Sequence, residues 1–282
     1  MTRVLVTGAS GFVGRRLCKR LAEDFWDVLM HDASDSDLSV EEPPFENVDW
    51  VIHLAAMTFV PESWEKPALY YRVNVMGTEN VLELCRRNGC GITFMSTYVY
   101  GVPQYLPIDE EHPVLPNSPY NHSKFLAEEL CRFYNRVFNI PVVIFRPFNI
   151  FGPGQASHFL VPAILDQLLD DLKKEITLMD VEPIRDYVYV DDVIEALVRS
   201  IGRKNFQIYN LGSGTAVSVL ELAKTAMEVS GKTKPVKSEY TRRKNEVSNI
   251  SCSIKKAHLK LGWTPQVNLK EGLSKMLVEL MQ

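Results

Sequence analysis

Tyr120 and Lys124 have the residue types and the spacing of an acid–base pair. They stand four apart near the start of a predicted helix, so their side chains share one face of it. An ammonium beside a phenol favours the phenolate form and lowers the pKa of the tyrosine. Tyr120 can then take the proton of a hydroxyl group as a general base, or return one as a general acid. The same spacing is common on helix surfaces, so other residues must support the site.

Ser96 supplies a third polar group. It follows the predicted strand Ile92–Met95 directly, at the carboxyl end of that strand. Open α/β sheets bind their ligands at this edge. We therefore expect the Ser96 hydroxyl to donate a hydrogen bond to the reacting oxygen, next to Tyr120 and Lys124.

A glycine-rich turn, TGASGFVG at residues 7–14, lies between the first predicted strand and the first predicted helix. Gly8 permits the tight turn, Gly11 lets the backbone approach a pyrophosphate, and Gly14 lets the helix pack closely on the strand. The N–H groups at the helix start then face the negative charge. The glycines alone fit an ordinary turn, but a strand before them and a helix after them are typical of a dinucleotide site. The expected cofactor contacts are Gly8, Ser10, Gly11, Phe12, Val13 and Gly14.

An acidic residue, Asp32, ends the second predicted strand. A carboxylate there accepts hydrogen bonds from an adenosine ribose and repels a 2′-phosphate, which predicts NAD rather than NADP. Asp37 and Leu38 are expected to flank the adenine. A solvated acidic loop is an equally good interpretation of Asp35.

Apolar strands alternate with amphipathic helices through the first half of the chain. This alternation predicts a parallel sheet with helices on both faces. Residues Asp32–Val48, rich in Ser, Asp, Glu and Pro, are expected to form a loop. The predicted strands are Arg3–Thr7, Asp27–His31, Asp49–Leu54, Ile92–Met95 and Pro141–Arg146. The predicted helices are Phe12–Ala22, Ala68–Arg87 and Tyr120–Phe138.

The second half is less regular, with short strands near Ile176–Met179 and Phe206–Asn210. We predict an α/β fold: a Rossmann-type, doubly wound parallel sheet with a smaller C-terminal α/β lobe that binds substrate. Residues 1–155 would form the NAD(P)-binding domain. Residues 156–282 would form mainly the lobe, with some segments returning to the main sheet. The predicted helices here are Val161–Leu172, Asp191–Ile201, Val219–Ser230 and Leu269–Met281.

Composition restricts the class of protein. A hydrophobic fraction of 46% and a charged fraction of 23% are those of an ordinary globular chain. The net charge of −4 argues against nucleic acid as a partner, because phosphate backbones select basic surfaces.

No apolar run approaches the roughly 20 residues that span a bilayer, and the first residues enter a strand pattern at once, so we expect no membrane span and no signal peptide. The five cysteines are scattered without a CxxC pair, which predicts reduced thiols in the cytoplasm and no metal site.

With these residues in place, the chain resembles the extended short-chain dehydrogenase/reductases, and among them the nucleotide-sugar epimerase/dehydratase group. The resemblance runs along nearly the whole chain, in order, and its motifs are specific only in combination. The motifs are TGASGFVG at 7–14, HLAA at 53–56, NVMGTENVL at 74–82, STYVYG at 96–101, YNHSK at 120–124, RPFNIFGPGQ at 146–155, RDYVYVDDV at 185–193 and LGWTP at 261–265.

The resemblance implies further site residues. Lys124 would hold the ribose of the nicotinamide. Arg185 and Arg243 would bind the nucleotide diphosphate, to which the forked donors of arginine are suited, although ordinary salt bridges are the alternative for both. The additional cofactor contacts would be Leu54, Ala55, Ala56, Thr58, Asn74, Tyr120 and Phe148. The substrate contacts would be Thr58, Ser96, Tyr120, Asn149, Arg185, Arg243 and Glu246.

Three functions remain open. The leading one is an NAD-dependent epimerase acting at C4 of a UDP-hexose by transient hydride transfer. The alternative is an NAD(P)H-dependent reductase of a nucleotide-4-keto-6-deoxyhexose, which the short segment after Asp32 favours. A non-catalytic dinucleotide-binding module is a third, against which the catalytic residues argue. Dehydration is not expected, because Thr97 and Tyr98 stand where the family's 4,6-dehydratases carry Asp and Glu. The resemblance also implies a homodimer with a four-helix interface formed by Ala68–Arg87 and Tyr120–Phe138.

Overall fold

A computed structural model describes residues 2–241 and 247–280 of the chain. Two π-helical turns, Arg72–Met76 and Ala257–Leu261, accompany the regular elements. The strands are β1 (Arg3–Thr7), β2 (Asp27–His31), β3 (Trp50–His53), β4 (Gly91–Met95), β5 (Val142–Pro147), β6 (Asn149–Phe151), β7 (Ile176–Leu178), β8 (Ile184–Tyr189), β9 (Gln207–Leu211), β10 (Ala216–Ser218) and β11 (Val236–Ser238). The helices are α1 (Phe12–Glu23), α2 (Val60–Glu65), α3 (Pro67–Tyr71), α4 (Gly77–Asn88), α5 (Pro119–Phe138), α6 (Leu160–Leu169), α7 (Val190–Ser200), α8 (Val219–Ser230) and α9 (Leu269–Leu280).

A parallel sheet of six strands, in the order β2-β1-β3-β4-β5-β9, forms the centre of the molecule. Strands β3, β4 and β5 are buried along their whole length, as expected when helices cover both faces. Thr7 pairs with His31 on one side and with His53 on the other, so the carboxyl ends of three strands are level. The predicted Rossmann-type α/β fold is confirmed.

The chain changes direction across the sheet between β1 and β3. From β1 it passes to β2 on one side, and then crosses to β3 on the other side of β1. Such a switch point opens the crevice in which open α/β sheets bind ligands. Residues Asp32–Val48 contain no strand or helix, as predicted, so β2 is an edge of the sheet among the described residues.

Part of the C-terminal half belongs to the main sheet. Strand β9 pairs in parallel with β5, and α7 packs on α1. The other strands of this half form two small sheets, β10-β8-β6 and β11-β7. The buried carboxylate of Asp192 on α7 accepts the backbone N–H groups of Gln266 and Val267 at 2.9 and 3.1 Å, which anchors the segment before α9. The division of the chain at residue 155 stays a prediction.

Two predicted helices differ from the structure. Residues Ala68–Arg87 contain a π-helical turn at Arg72–Met76 between α3 and α4, a deviation that frequently marks functional sites. Helix α6 ends at Leu169 instead of Leu172, because Asp170 takes up an extended backbone conformation. The Lys234 ammonium donates to the carbonyls of Gln167 and Asp170 at 2.8 and 2.6 Å and so satisfies this end of the helix. Within the described residues, no helix has the length and apolarity required to cross a membrane.

Candidate active site

The glycine turn fits closely between β1 and β3. Gly8 has a φ of +70°, which favours glycine, and a Cβ there would lie 2.8 Å from the backbone nitrogen of Ala55. A Cβ on Gly14 would collide with the turn itself. The Gly8 N–H donates to the carbonyl of His31 at 2.8 Å, which ties the turn to the end of β2. At both positions neighbouring backbone atoms come so close that only glycine fits.

The N-terminus of α1 lies directly behind this turn. The helix begins at Phe12, and Gly11 before it contributes no side chain; no described side chain caps the helix. The N–H groups of the first turn therefore suit an anion such as a pyrophosphate.

Asp32 lies beside the same turn. Its carboxylate accepts the backbone N–H of Ser10 at 2.9 and 3.0 Å and the Ser10 hydroxyl at 2.9 Å. The exposed Asp37 accepts hydrogen bonds from the Ser39 side chain and from the Ser39 N–H, the latter at 2.9 Å, and both lower the pKa of Asp37. Leu38 is buried. The end of β2 thus presents the Asp32 carboxylate next to the glycine turn.

A buried histidine, His53, connects β1, β3 and α4. The Thr78 hydroxyl donates to the Asn74 carbonyl at 2.7 Å, so it accepts from Nε2 of His53 at 3.1 Å. Nδ1 of His53 then accepts from the Thr7 hydroxyl at 2.6 Å. Burial lowers the pKa of His53 to about 3, so the ring stays neutral and acts as a fixed connection.

Asn74, on the π-helical turn, holds the loop that follows β3. Its Oδ1 accepts the N–H of Met57 at 2.9 Å, and its amide donates to the Ser123 hydroxyl at 2.9 Å. The loop Leu54–Thr58, with Ala55 and Ala56 half-buried and Thr58 exposed, is thereby fixed to α5. Asn74 supports the crevice from behind.

Tyr120 and Lys124 are both buried on the inner face of α5. The Lys124 ammonium lies 4.2 Å from the ring centroid of Phe94. Burial lowers the pKa of Lys124 to about 7. Burial raises the pKa of Tyr120 well above its ordinary value, and a hydrogen bond with Thr97 opposes this in part. The prediction that Lys124 lowers the pKa of the phenol is wrong for this arrangement, because the loss of hydration dominates.

The buried Ser96 donates its hydroxyl proton to Oε1 of Glu128 at 2.5 Å. The neighbouring Thr97 lowers the pKa of the Tyr120 phenol in part, against the larger effect of burial. The contact of Ser96 with the reacting oxygen stays a prediction. Sequence reasoning missed Glu128. For Glu128 a signal existed, because Tyr120, Lys124 and Glu128 recur every four residues on one helix face.

The residues that follow β5 lie beside those that follow β4. Phe148 is buried and stacks on Tyr98, with ring centroids 5.3 Å apart. Asn149 begins β6 and donates its amide to the carbonyl of Asp186 at 2.9 Å. Arg185, the residue before Asp186 on β8, is largely buried. Its Nη1 donates to the Ile184 carbonyl at 2.9 Å.

Two predicted substrate residues, Arg243 and Glu246, lie outside the described residues. Within the described part of the chain, no group of His, Cys, Asp and Glu could hold a metal ion.

The fold and this arrangement define a Rossmann-type protein in which a buried tyrosine and a buried lysine share one face of a helix beside the central sheet. The chain belongs to the NAD dependent epimerase/dehydratase family, whose sequence model matches residues 4–212. This confirms the predicted family.

Individual relatives span the whole chain. A putative UDP-glucose 4-epimerase of Methanocaldococcus jannaschii is 35% identical and covers 97% of this chain and 97% of its own. A GDP-6-deoxy-D-mannose reductase of Pseudomonas aeruginosa is 32% identical, with 98% of this chain and 96% of that protein covered. The Thermus thermophilus UDP-glucose 4-epimerase in complex with NAD superposes with a TM-score of 0.88 at 28% identity, and 99% of each chain is covered.

NAD is the cofactor of this family, and the described residues fit it. The backbone at Gly8 lies so close to Ala55 that there is no room for a Cβ. The first turn of α1 has no side-chain cap among the described residues. The Asp32 carboxylate lies at the end of β2, where this fold holds the ribose.

Proposed function

We propose that the protein is an NAD-dependent nucleotide-sugar epimerase acting at C4 of a UDP-hexose. The observation that carries this is the buried set of Ser96, Tyr120 and Lys124 at the carboxyl edge of the central sheet, whose strand β1 leads into the glycine turn. The UDP-glucose 4-epimerases among its relatives support the substrate class.

In this mechanism Tyr120 accepts the proton of the C4 hydroxyl as C4 is oxidised, and returns a proton when C4 is reduced from the other face. When bound, NAD would supply the hydride acceptor and donor at C4, and its oxidised ring would add a positive charge that favours the phenolate. Ser96 would hydrogen-bond to the reacting oxygen. The ammonium of Lys124 would hold the nicotinamide ribose. Burial keeps water away from the phenol.

The binding residues are assigned in the same way. The N-terminus of α1 would hold the pyrophosphate, and Asp32 the adenosine ribose. Arg185 and Arg243 would bind the substrate diphosphate. The remaining proposed contacts are Ser10, Asp37, Leu38, Leu54, Ala55, Ala56, Thr58, Phe148, Asn149 and Glu246.

The test follows the cofactor absorbance of purified protein offered UDP-glucose or a nucleotide-4-keto-6-deoxy sugar. An epimerase regenerates its cofactor in each turnover, so we expect interconversion of the UDP-hexoses without added NAD. Stoichiometric loss of reduced nicotinamide with the keto sugar, and no interconversion of UDP-glucose, would instead establish the reductase.

The reductase is the second candidate because of one structural feature. The loop Asp32–Val48 has no strand, a short connection of the kind that favours this alternative. The GDP-6-deoxy-D-mannose reductase relative agrees with it.

We further propose a homodimer whose interface is formed by α4 and α5. Large apolar side chains are between 43% and 47% exposed at Met76, Phe133, Val137 and Phe138, at the start of α4 and the end of α5. Phe133, Val137 and Phe138 lie next to one another on α5, and exposed apolar surface of this kind marks interaction sites. The five free thiols, four of them buried, suit the cytoplasm.

A further inference from the structure

Behind the acid–base residues lies a buried charge network centred on Glu128. This carboxylate is on α5, one helical turn beyond Lys124, and is 1% exposed. Oε1 accepts the Ser96 hydroxyl at 2.5 Å and Nε of Arg146 at 3.0 Å. Oε2 accepts Nη2 of Arg146 at 2.5 Å. Glu128 therefore connects β4, α5 and β5 at one point.

Arg146 cannot turn away from this carboxylate. Its guanidinium lies 4.8 Å from the ring centroid of Tyr100, and the Tyr100 hydroxyl donates to Oδ1 of Asn210 at 2.5 Å. The backbone N–H of Asn210 donates to Glu110 at 2.7 Å. The orientation of Glu128 is thus fixed from β5 and β9 as well as from its own helix.

Four titratable side chains lie around Lys124. Glu128 and Cys131 face it from α5, His53 faces it from β3, and Arg146 lies beyond Glu128 on β5. Burial raises the pKa of the Cys131 thiol and lowers that of His53, so both are neutral at pH 7. Among these groups Glu128 is the one acidic side chain, and it forms an ion pair with Arg146.

We propose that Glu128 is a positioning residue of the active site: its carboxylate pairs with the buried Arg146, holds the Ser96 hydroxyl at the carboxyl end of β4, and places a negative charge one helical turn from Lys124. The role rests on the proposed function, in which Ser96, Tyr120 and Lys124 form the site. The Ser96 backbone N–H also donates to the Phe145 carbonyl at 2.8 Å, so Ser96 is held at both its main chain and its side chain.

The experiment compares the pH profiles of kcat and KM for wild type, Glu128→Gln and Glu128→Asp. Removing the negative charge beside Lys124 should lower its pKa. We therefore expect the loss of activity at high pH to move down by about one pH unit or more in Glu128→Gln. Its kcat should fall about 10- to 100-fold, with KM changed less than about threefold. Glu128→Asp keeps the charge and should restore the position of the profile.

Asp192→Asn is the matched control. Asp192 is also a buried carboxylate, but it holds backbone N–H groups far along the chain from the site. We expect it to lower the melting temperature and leave the pH profile unchanged. A Glu128→Gln enzyme with the same behaviour would have only a structural role, which overturns the proposal. If Glu128→Gln does not fold, Arg146→Lys decides, because it keeps the positive charge and removes the paired donors that orient Glu128. Unchanged kcat in that variant overturns the proposal, and a fall of about tenfold supports it.

A readout without turnover separates the two proposals. NMR titration of ¹³Cε-labelled lysine in the NAD-loaded protein, with Lys124 assigned by Lys124→Met, reports the ionisation of Lys124 directly. A lower titration midpoint in Glu128→Gln supports the charge balance, and an unchanged midpoint overturns it. A lower midpoint in Glu128→Gln, together with a wild type that turns over no nucleotide sugar, would instead refute the proposed function and leave the charge balance standing.

Discussion

The Ser10 backbone N–H and hydroxyl both donate to the carboxylate of Asp32, at 2.9–3.0 Å. This fixes a negative charge at the point where the glycine turn passes the end of β2. A carboxylate has about four acceptor positions, so Asp32 can accept the hydroxyls of a ribose without releasing Ser10. A phosphate on the same ribose would instead meet a fixed like charge.

We predict that Asp32→Ala weakens NAD binding and reduces the preference for NAD over NADP. Loss of a hydrogen bond to a charged group typically costs about 1.5–3 kcal/mol, or roughly 10- to 100-fold in Kd. Titration calorimetry with both cofactors measures the ratio. Ser10→Ala is the control, because it removes one hydrogen bond and keeps the carboxylate. Wild-type protein that prefers NADP would contradict the assignment.

Tyr120→Phe should leave cofactor affinity nearly intact and reduce kcat by roughly a hundredfold or more, the scale of general acid–base catalysis. The ring remains buried, so the fold should be little affected. Ser96→Ala, which removes the hydroxyl expected on the reacting oxygen, should also reduce kcat. Steady-state kinetics of both variants test this, and full turnover by Tyr120→Phe would remove it from the mechanism.

The partner of Ser96 shows where sequence reasoning reached its limit. The strand Ile92–Met95 and its carboxyl end were predictable from the apolar pattern. The hydrogen bond of Ser96 to Glu128 was not, because the two residues are 32 positions apart and meet only where the end of β4 reaches α5.

Element bounds were predictable where both ends carry a capping signal. Helix α8 has the predicted limits, since Ser218 and Glu221 form a capping box at its start and Gly231 ends it with a φ of +69°. The three-residue strands, such as β6 and β10, were missed because so short a segment has no periodicity. The ion pair of Glu128 with Arg146 was missed for another reason: a carboxylate on a helix has no visible partner until β5 is placed beside it.

The burial of Lys124 makes stability depend on pH. In the folded protein its pKa is lowered to about 7 from an ordinary value of 10.5. Between these pH values the unfolded chain binds more protons than the native state, so raising the pH favours the native state. We expect the free energy of unfolding of wild type, relative to Lys124→Met, to rise from pH 7 to pH 10 and to be constant below pH 7. Urea denaturation at several pH values measures this, and a flat difference would contradict the burial of an ionisable lysine.

Arg185→Ala should raise KM for the nucleotide sugar about 10- to 100-fold, because a charge-assisted contact to the diphosphate is lost. The effect on NAD affinity should be small. Arg243→Ala is expected to act in the same direction. Arg199→Ala is the control, since Arg199 is an α7 residue whose side chain donates to the Gly262 carbonyl. Free hexose should be a poor substrate for every variant, and unchanged KM in both Arg185→Ala and Arg243→Ala would place the diphosphate elsewhere.

If the dimer forms through α5, charged substitutions near the end of that helix should convert it into a monomer. Phe133 contacts the rings of Tyr134 and Phe138, yet its own side chain and that of Val137 remain about half exposed. A double variant, Phe133→Glu with Val137→Lys, places charges on this surface, and burying them in an interface would cost several kcal/mol. Light scattering after size exclusion should then give one chain mass in place of two. Leu172→Lys, at a site 89% exposed on another part of the molecule, should remain dimeric. A monomeric wild type, or a double variant with unchanged mass, would rule out this interface.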